Sequence, residues 1–298
     1  MLSLSLLSAA AYNAPKMRIT GCFAPVPTPF DDGGLPDLEA FHRHLEWLAG
    51  EGLDGALVLG SNGEFPCLTL AERRAVARAA AAHAGDLTLI LGVGSCALPE
   101  VEEFLALAAE LGYTAALCPP PFYFRRAPRG GIASFLARAL EASTLPVLLY
   151  HIPQLTGIPL DDDLLGLMGD PARLAGVKDS SGSTDELARL TARFAERSYL
   201  VGHDGLVAAC RASGGSGSIS AAASVAPRLV RAAWHDPSLQ PRLSELRKLL
   251  ERFGLGPAVK ALLERSGLGS TTVRPPGVAL SPDQREHLFA GWNGLGFV

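Results

Sequence analysis

Short apolar runs rich in Val, Leu and Ile alternate with longer stretches of helical period from about Gly21 onward. Apolar runs of strand length between turn residues indicate buried strands, and apolar residues three and four apart indicate helices that face a core. The pattern predicts eight strands, at 21–29, 55–60, 88–93, 115–120, 147–152, 174–179, 199–204 and 217–220. It predicts a helix after each strand, near 37–50, 69–84, 98–112, 129–143, 161–169, 183–195, 205–213 and 225–235.

Repeated strand–helix units place this chain in the α/β class. Eight such units in about 200–250 residues predict a closed (β/α)8 TIM barrel rather than an open doubly wound sheet, because every strand is followed by its own helix. Three further helices, near 238–253, 257–266 and 281–290, predict a small C-terminal helical appendage. We therefore expect a disordered tail at 1–16, a barrel at 17–235 and the appendage at 236–298.

Helix starts follow from capping chemistry. Thr69 with Glu72 three positions on predicts a capping box. The acidic trio 161–163 is interpreted as a helix entry and not as a metal site, because acidic residues are common in a first helical turn.

Composition narrows the class of partner. A net charge of -4 and a pI near 6.0 argue against nucleic acid or an anionic membrane as the main partner. Five scattered cysteines show no zinc-ligand spacing and are typical of reduced core residues, and the chain start lacks the basic residues of a secretory signal. We expect a cytoplasmic protein that binds a small molecule.

One lysine stands out as a candidate for chemistry. Lysine occurs only at positions 16, 178, 248 and 260, although Lys and Arg together number 26, so Lys178 in an apolar strand is not a default choice of cation. Arginine stays charged in proteins, whereas a lysine withdrawn from water loses its proton more readily and becomes a nucleophile. A neutral amine attacks ketones.

The active site of such a barrel is formed at the carboxyl ends of the strands. Sorting the sequence by that rule gives the candidate residues Gly60, Ser61, Asn62, Gly63, Glu64, Tyr123, Tyr150, Lys178 and Ile219.

Five motifs at these strand ends together resemble the dihydrodipicolinate synthase and N-acetylneuraminate lyase superfamily. They are GSNGEFP (60–66), PPPFYF (119–124), YHIPQLTG (150–157), GVKDSSG (176–182) and GGSGSIS (214–220). Within that superfamily, GSNGEFP with VKDSSG is most similar to the 4-hydroxy-2-oxoglutarate aldolase branch.

The resemblance implies a class I aldolase that needs no metal or cofactor and cleaves a 4-hydroxy-2-oxo acid reversibly to pyruvate and an aldehyde. It implies that Lys178 forms the Schiff base and that Tyr150 relays protons. It also implies that Tyr123 completes that relay across a subunit interface, in a dimer or a homotetramer. Ser61 and Asn62, in the turn that includes Gly63, would hold the substrate carboxylate, and the carbonyl of Ile219 would face the lysine pocket.

The sequence departs from the synthases at two places. Leu155 stands where their YxxPxRTG loop carries an arginine for the second substrate, and leucine cannot bind a carboxylate. Ser61 and Asn62 replace the usual Thr-Thr pair. Both changes favour an aldolase. The alternative is a 4-hydroxy-tetrahydrodipicolinate synthase that condenses pyruvate with aspartate semialdehyde, in which Arg125 or Arg126 would supply the charge from another loop.

Two rival hypotheses remain open at this point. Gly92, Gly94 and Ala97 form a GxGxxA pattern that is typical of nicotinamide dinucleotide sites, although it follows the third strand and lacks the acidic residue that such sites need. The same barrel is also compatible with a non-enzymatic sensor of 2-oxo acids.

Overall fold

The strands close into a barrel. A computed structural model describes residues 18–297, so the tail predicted at 1–16 lies outside the described residues. Eight parallel strands pair in chain order, and the last pairs with the first. They are β1 (Gly21–Pro25), β2 (Gly55–Val58), β3 (Thr88–Gly92), β4 (Ala115–Cys118), β5 (Val147–His151), β6 (Leu174–Asp179), β7 (Ser198–Val201) and β8 (Gly217–Ile219).

A helix follows every strand, which confirms the predicted (β/α)8 fold. The helices through the barrel are α1 (Leu38–Gly50), α2 (Leu70–His83), α3 (Leu98–Glu110), α4 (Arg129–Ala142), the single turn α5 (Pro153–Thr156), α6 (Asp162–Met168), α7 (Thr184–Arg193), α8 (Val207–Ala212) and α9 (Pro227–His235). Three more follow: α10 (Gln240–Arg252), α11 (Leu255–Arg265) and α12 (Pro282–Gly294).

Two apolar layers hold the barrel together. A small cluster fills its interior, where Phe23, Leu57, Ile90 and Leu148 are fully buried. A larger layer lies between the outward faces of the strands and the helices. The inward positions of β5 and β6 near their carboxyl ends are taken by Tyr150 and Lys178, so polar groups replace the apolar filling there.

The first strand is shorter than the sequence pattern predicts. Its ladder ends at Pro25, and Val26 still donates to the carbonyl of Leu57 (3.0 Å). Pro27 and Pro29 have no N–H to continue the ladder. The side chain of Thr28 instead donates to the carbonyl of Gly63 (2.8 Å), which fixes the turn after β2.

Both predicted helix starts are present. The Thr69 hydroxyl accepts from the amide of Glu72, and the Glu72 carboxylate accepts from the amide of Thr69. Asp161 accepts from the amide of Leu164 (2.9 Å), which confirms the helix-entry interpretation of the acidic trio.

The C-terminal helices share the outer apolar layer with the barrel helices. Leu243, Leu246 and Leu250 of α10 are fully buried, and Leu288 and Trp292 of α12 pack in the same layer. Side chains of α10 and α11 also reach the carboxyl end of the barrel, where they line a cavity. The predicted boundary near residue 235 stays a prediction.

Candidate active site

A bulge in β6 turns Lys178 into the barrel. Ala175 faces the interior and Val177 faces the helices, although regular alternation would place both on the same face of the strand. The extra residue at Gly176 interrupts the alternation, so Lys178 faces the interior. The pairing with β5 shifts at this point, from Val147 opposite Leu174 to Leu148 opposite Gly176.

Only glycine fits the bulge. Gly176 has φ +150, and a Cβ there would lie 1.9 Å from the carbonyl oxygen of Ser198. Gly176 therefore lets the backbone of β6 approach β7 while the next inward side chain is the amine of Lys178.

The Lys178 amine is buried beside an aromatic ring. The residue is 3% exposed, and Nζ lies 4.3 Å from the centroid of the Tyr150 ring. Tyr150 is its register partner on β5. Within residues 18–297 no carboxylate forms an ion pair with Lys178. The amine therefore contacts the Tyr150 side chain and not an opposite charge.

The hydroxyl of Tyr150 lies between two serines. It is 3.4 Å from Oγ of Ser61 and 3.5 Å from Oγ of Ser180. Burial by itself raises the pKa of Tyr150, but the positive charge of Lys178 and the hydrogen bonds to both serines outweigh it, so the pKa lies below its usual value. A phenol in this setting gives up and recovers a proton more readily than one in water.

The turn after β2 presents unpaired donors to the same cavity. Ser61–Gly63 forms one turn of 3-10 helix, in which the amide of Gly63 donates to the carbonyl of Gly60 (3.0 Å). The amides of Ser61 and Asn62 come first in the turn and have no partner within it. The side-chain Nδ2 of Asn62 is buried and has no hydrogen-bond partner among the described residues. This arrangement suits a carboxylate.

Backbone strain is concentrated around this turn. Among the described residues, the non-glycine residues with positive φ are Leu59 (φ 57) and Glu64 (φ 54), one on each side of it. Such conformations persist only where the surroundings enforce them, and they cluster at functional sites.

A buried ion pair enforces the conformation of Glu64. Its carboxylate pairs with Lys260 of α11, which is 1% exposed. Lys260 also donates to the carbonyl of Thr272 (2.7 Å), and the amide of Arg274 donates to Glu64 (2.9 Å). The C-terminal part of the chain therefore clamps the turn that carries Ser61 and Asn62.

These groups share one cavity of about 390 Å³ at the carboxyl end of the barrel. Ser61, Asn62, Tyr150, Lys178 and Ile219 all line it. Two residues that the resemblance implies for the site do not. Gly63 is the last residue of the turn and its amide donates to the carbonyl of Gly60. Tyr123 is 79% exposed on the surface, with its ring against Phe124.

Comparison with known proteins decides the family. A model of the dihydrodipicolinate synthetase family matches residues 18–291. The chain belongs to this family. An uncharacterized DapA-like lyase from Chloroflexus aurantiacus is 35% identical over 288 residues, which cover 92% of this chain and 96% of that protein. A 4-hydroxy-tetrahydrodipicolinate synthase from Ruegeria pomeroyi is 32% identical over 283 residues, which cover 91% and 97%.

Solved structures of the dihydrodipicolinate synthetase family share the architecture. YagE, a prophage protein of this family from E. coli K12 in complex with pyruvate, superposes with a TM-score of 0.88 at 26% identity and covers 94% of this chain and 99% of its own. Dihydrodipicolinate synthase from Aquifex aeolicus gives 0.87 at 26% identity, with the same coverage. Family membership supports an enzymatic role as a lyase.

Close packing explains the glycines of the GxGxxA pattern. A Cβ at Gly92 would lie 2.2 Å from the carbonyl oxygen of Leu59, and one at Gly94 would lie 2.7 Å from the ring of Phe65. Both glycines allow the third βα turn to pack against the turn after β2. In this family member the GxGxxA pattern is a packing feature of the barrel.

Sequence reasoning missed several residues of the cavity. Ser180 lies two positions after Lys178, inside a motif already singled out, and its distance from a strand end is the signal that was available. Gln154, Arg247, Glu251 and Leu255 also line the cavity. Arg247 and Glu251 come from α10, and nothing in their sequence surroundings distinguishes them from surface residues of an amphipathic helix.

The described residues show no feature of two other site classes. No helix within 18–297 combines the length and apolar character that crossing a membrane requires. The same residues contain no group of three side chains placed to hold a metal ion.

Proposed function

We propose that this protein is a class I aldolase that cleaves a 4-hydroxy-2-oxo acid reversibly to pyruvate and an aldehyde. The observation that carries the proposal is the buried amine of Lys178, which shares a cavity with the Tyr150 phenol and with an unpaired amide donor of Asn62. Nucleophile, proton carrier and carboxylate site are the three parts that Schiff-base chemistry on a 2-oxo acid requires.

The amine starts the reaction. In its neutral form, Nζ of Lys178 adds to the C2 ketone, and the carbinolamine loses water to give an iminium ion. The C3–C4 bond then breaks, its electron pair passes into an enamine, and the C4 hydroxyl gives up its proton as the aldehyde leaves. Protonation of the enamine at C3 and addition of water release pyruvate and restore the amine.

Tyr150 is the group we assign to the proton steps. The phenol gives its proton to the carbinolamine oxygen as water leaves, and the resulting phenolate takes the proton from the C4 hydroxyl when the C3–C4 bond breaks. The lowered pKa of Tyr150 supports this role, although burial opposes it, because the phenolate gains from Lys178 and from the hydroxyls of Ser180 and Ser61.

The turn after β2 would hold the carboxylate. The amides of Ser61 and Asn62 and the buried Nδ2 of Asn62 supply donors, while Gly63 shapes the turn. Ile219 closes the cavity from β8.

In this proposal, Tyr123 acts in the cavity of a neighbouring copy of the chain. Its ring and that of Phe124 are 79% and 54% exposed, which suits a contact with another subunit. We propose that Tyr123 enters the cavity of a neighbouring copy and extends its proton relay, in a dimer or tetramer.

The synthase activity is the second candidate, because several relatives carry that name, including the one from Ruegeria pomeroyi. Leu155 lines the cavity at the position of the loop arginine and offers no charge for the carboxylate of aspartate semialdehyde. This substitution favours the aldolase.

A substrate panel tests the proposal. Purified protein is incubated with several 4-hydroxy-2-oxo acids, 4-hydroxy-2-oxoglutarate among them, and pyruvate release is followed; pyruvate with aspartate semialdehyde is the comparison reaction. We expect pyruvate release that disappears in Lys178→Met. Synthase turnover with no cleavage of any 4-hydroxy-2-oxo acid would replace the aldolase by the second candidate.

A further inference from the structure

The wall of the cavity formed by α10 carries an unusual balance of charge. Arg247 and Glu251 of α10 line the same cavity as Lys178. Leu155 lines it too, so no cation comes from the loop after β5. Among the lining side chains in the described part of the chain, the cations are Lys178 and Arg247.

Arg247 is already neutralised by two carboxylates. Its Nε donates to Glu251 (2.7 Å) and its Nη1 donates to Asp204 (3.2 Å). Asp204 is fully buried and is fixed by the amide of Ala222 (3.1 Å). One guanidinium against two carboxylates leaves this wall with a net charge of one negative unit.

The neighbouring histidine does not change that balance. His203 lies 3.7 Å from Glu251, but burial and the charge of Arg247 lower its pKa, so it is neutral near pH 7. The positive charge of a Lys178 adduct is matched by the carboxylate of the 2-oxo acid. A second carboxylate on the substrate would therefore meet uncompensated negative charge in a partly water-excluded site.

Two side chains of the cavity, Glu251 of α10 and Gln154 of α5, offer hydrogen-bond acceptors. Glu251 offers carboxylate oxygens. Gln154 uses Nε2 to donate to the carbonyl of Ser180 (2.7 Å), which leaves its amide oxygen as an acceptor. These groups suit hydroxyls, which both donate and accept.

We infer that the aldehyde half of the substrate is uncharged and hydroxylated, and that Glu251 with Arg247 sets this preference. The inference rests on the proposed aldolase function and narrows its substrate to 4-hydroxy-2-oxo acids with further hydroxyl groups and no second carboxylate. It points away from 4-hydroxy-2-oxoglutarate as the preferred substrate.

A matched pair of substrates tests the inference. In 4,5-dihydroxy-2-oxopentanoate a hydroxymethyl group takes the place of the terminal carboxylate of 4-hydroxy-2-oxoglutarate. We expect kcat/KM to be at least about tenfold higher for the dihydroxy acid. Equal values, or a preference for the dicarboxylate, would overturn the inference.

Variants separate the local charge from the net charge of the protein. Glu251→Gln removes one negative charge from the wall and should shrink the preference by about tenfold, mainly through faster cleavage of the dicarboxylate. Glu245→Gln is the control, because Glu245 lies on the same helix, is 56% exposed and pairs with Lys248 outside the cavity. Leu155→Arg should favour the dicarboxylate further. If Glu245→Gln shifts the preference as much as Glu251→Gln, the assignment to Glu251 fails.

Failure of the inference and failure of the proposed function give different results. If borohydride traps pyruvate on Lys178 but the dihydroxy acid is not preferred, only the inference falls. If pyruvate is not trapped at all, the proposed function falls, and the inference with it.

Discussion

Replacement by methionine should have opposite effects at the two buried lysines: Lys260→Met should lower stability and keep the chemistry, whereas Lys178→Met should keep stability and abolish turnover. Lys260 is paired with Glu64 and donates to the carbonyl of Thr272, whereas Lys178 has no carboxylate partner in the described residues. Replacement of either by methionine keeps most of the side-chain volume and removes the charge. The comparison therefore isolates what each charge does for stability.

Lys260→Met should be strongly destabilising. The Lys260 side chain is 2% exposed and that of Glu64 is 14% exposed, so the substitution removes the ion-pair partner of a largely buried carboxylate. Glu64 then keeps the hydrogen bond from the amide of Arg274 and the attraction of the Arg274 guanidinium. Breaking a buried pair by removing one partner costs about 3–5 kcal/mol. Burial lowers the pKa of Lys260 despite the attraction of Glu64, so the pair itself is no net gain. Removing both charges, in Lys260→Met with Glu64→Gln, should recover most of the loss.

Lys178→Met is the matched control and should change the free energy of unfolding by no more than about 1 kcal/mol. Urea unfolding followed by circular dichroism gives the midpoints, and an unchanged slope shows that the shift is one of stability. In enzyme assays the pattern reverses: Lys178→Met loses turnover, and Lys260→Met keeps the chemistry but raises KM for the 2-oxo acid, because the clamped turn loosens. Equal midpoints for Lys260→Met and the wild type, or a double variant no more stable than the single one, would refute this reasoning.

Three further predictions concern single positions. Tyr150→Phe should lower kcat about 10²- to 10⁴-fold with the fold intact, as measured by pyruvate release and circular dichroism; unchanged kcat would remove Tyr150 from the proton steps. Gly176→Ala should prevent folding or displace Lys178, because its Cβ would lie 1.9 Å from the carbonyl oxygen of Ser198; a soluble, fully active variant would contradict the bulge. Burial lowers the pKa of His44 to about 4 from 6.5, so the unfolded chain binds more protons and stability should fall as the pH drops through that interval. His44→Gln should flatten the slope in urea titrations, and an equal slope in both proteins would argue against the buried neutral ring.

The fold was predictable from the sequence because each strand–helix unit is a local pattern. The position of Lys178 at the end of β6 follows from the same pattern, as do Tyr150 at the end of β5 and the turn after β2. The predicted start of β1 at Gly21 is confirmed, but its predicted end at residue 29 was wrong, because Pro27 and Pro29 stop the ladder within an apolar run.

Contacts between distant parts of the chain could not be read from local pattern. Arg274 and Glu64 are 210 positions apart, and only the folded chain brings the α11 lysine to the turn after β2. Arg247 and Glu251 likewise reach the cavity from α10, beyond the eighth βα unit. The part of the cavity that we assign to the aldehyde half of the substrate is formed by these long-range contacts, so the motifs alone do not predict it.

Reductive trapping tests the central claim most directly. The protein is incubated with pyruvate, reduced with borohydride and digested, and the peptide that contains Lys178 is examined by mass spectrometry beside the peptide that contains Lys260. We predict a pyruvate adduct on Lys178 alone, and none in Lys178→Met. An unmodified Lys178 in a folded protein, or an adduct on another lysine, would contradict the account.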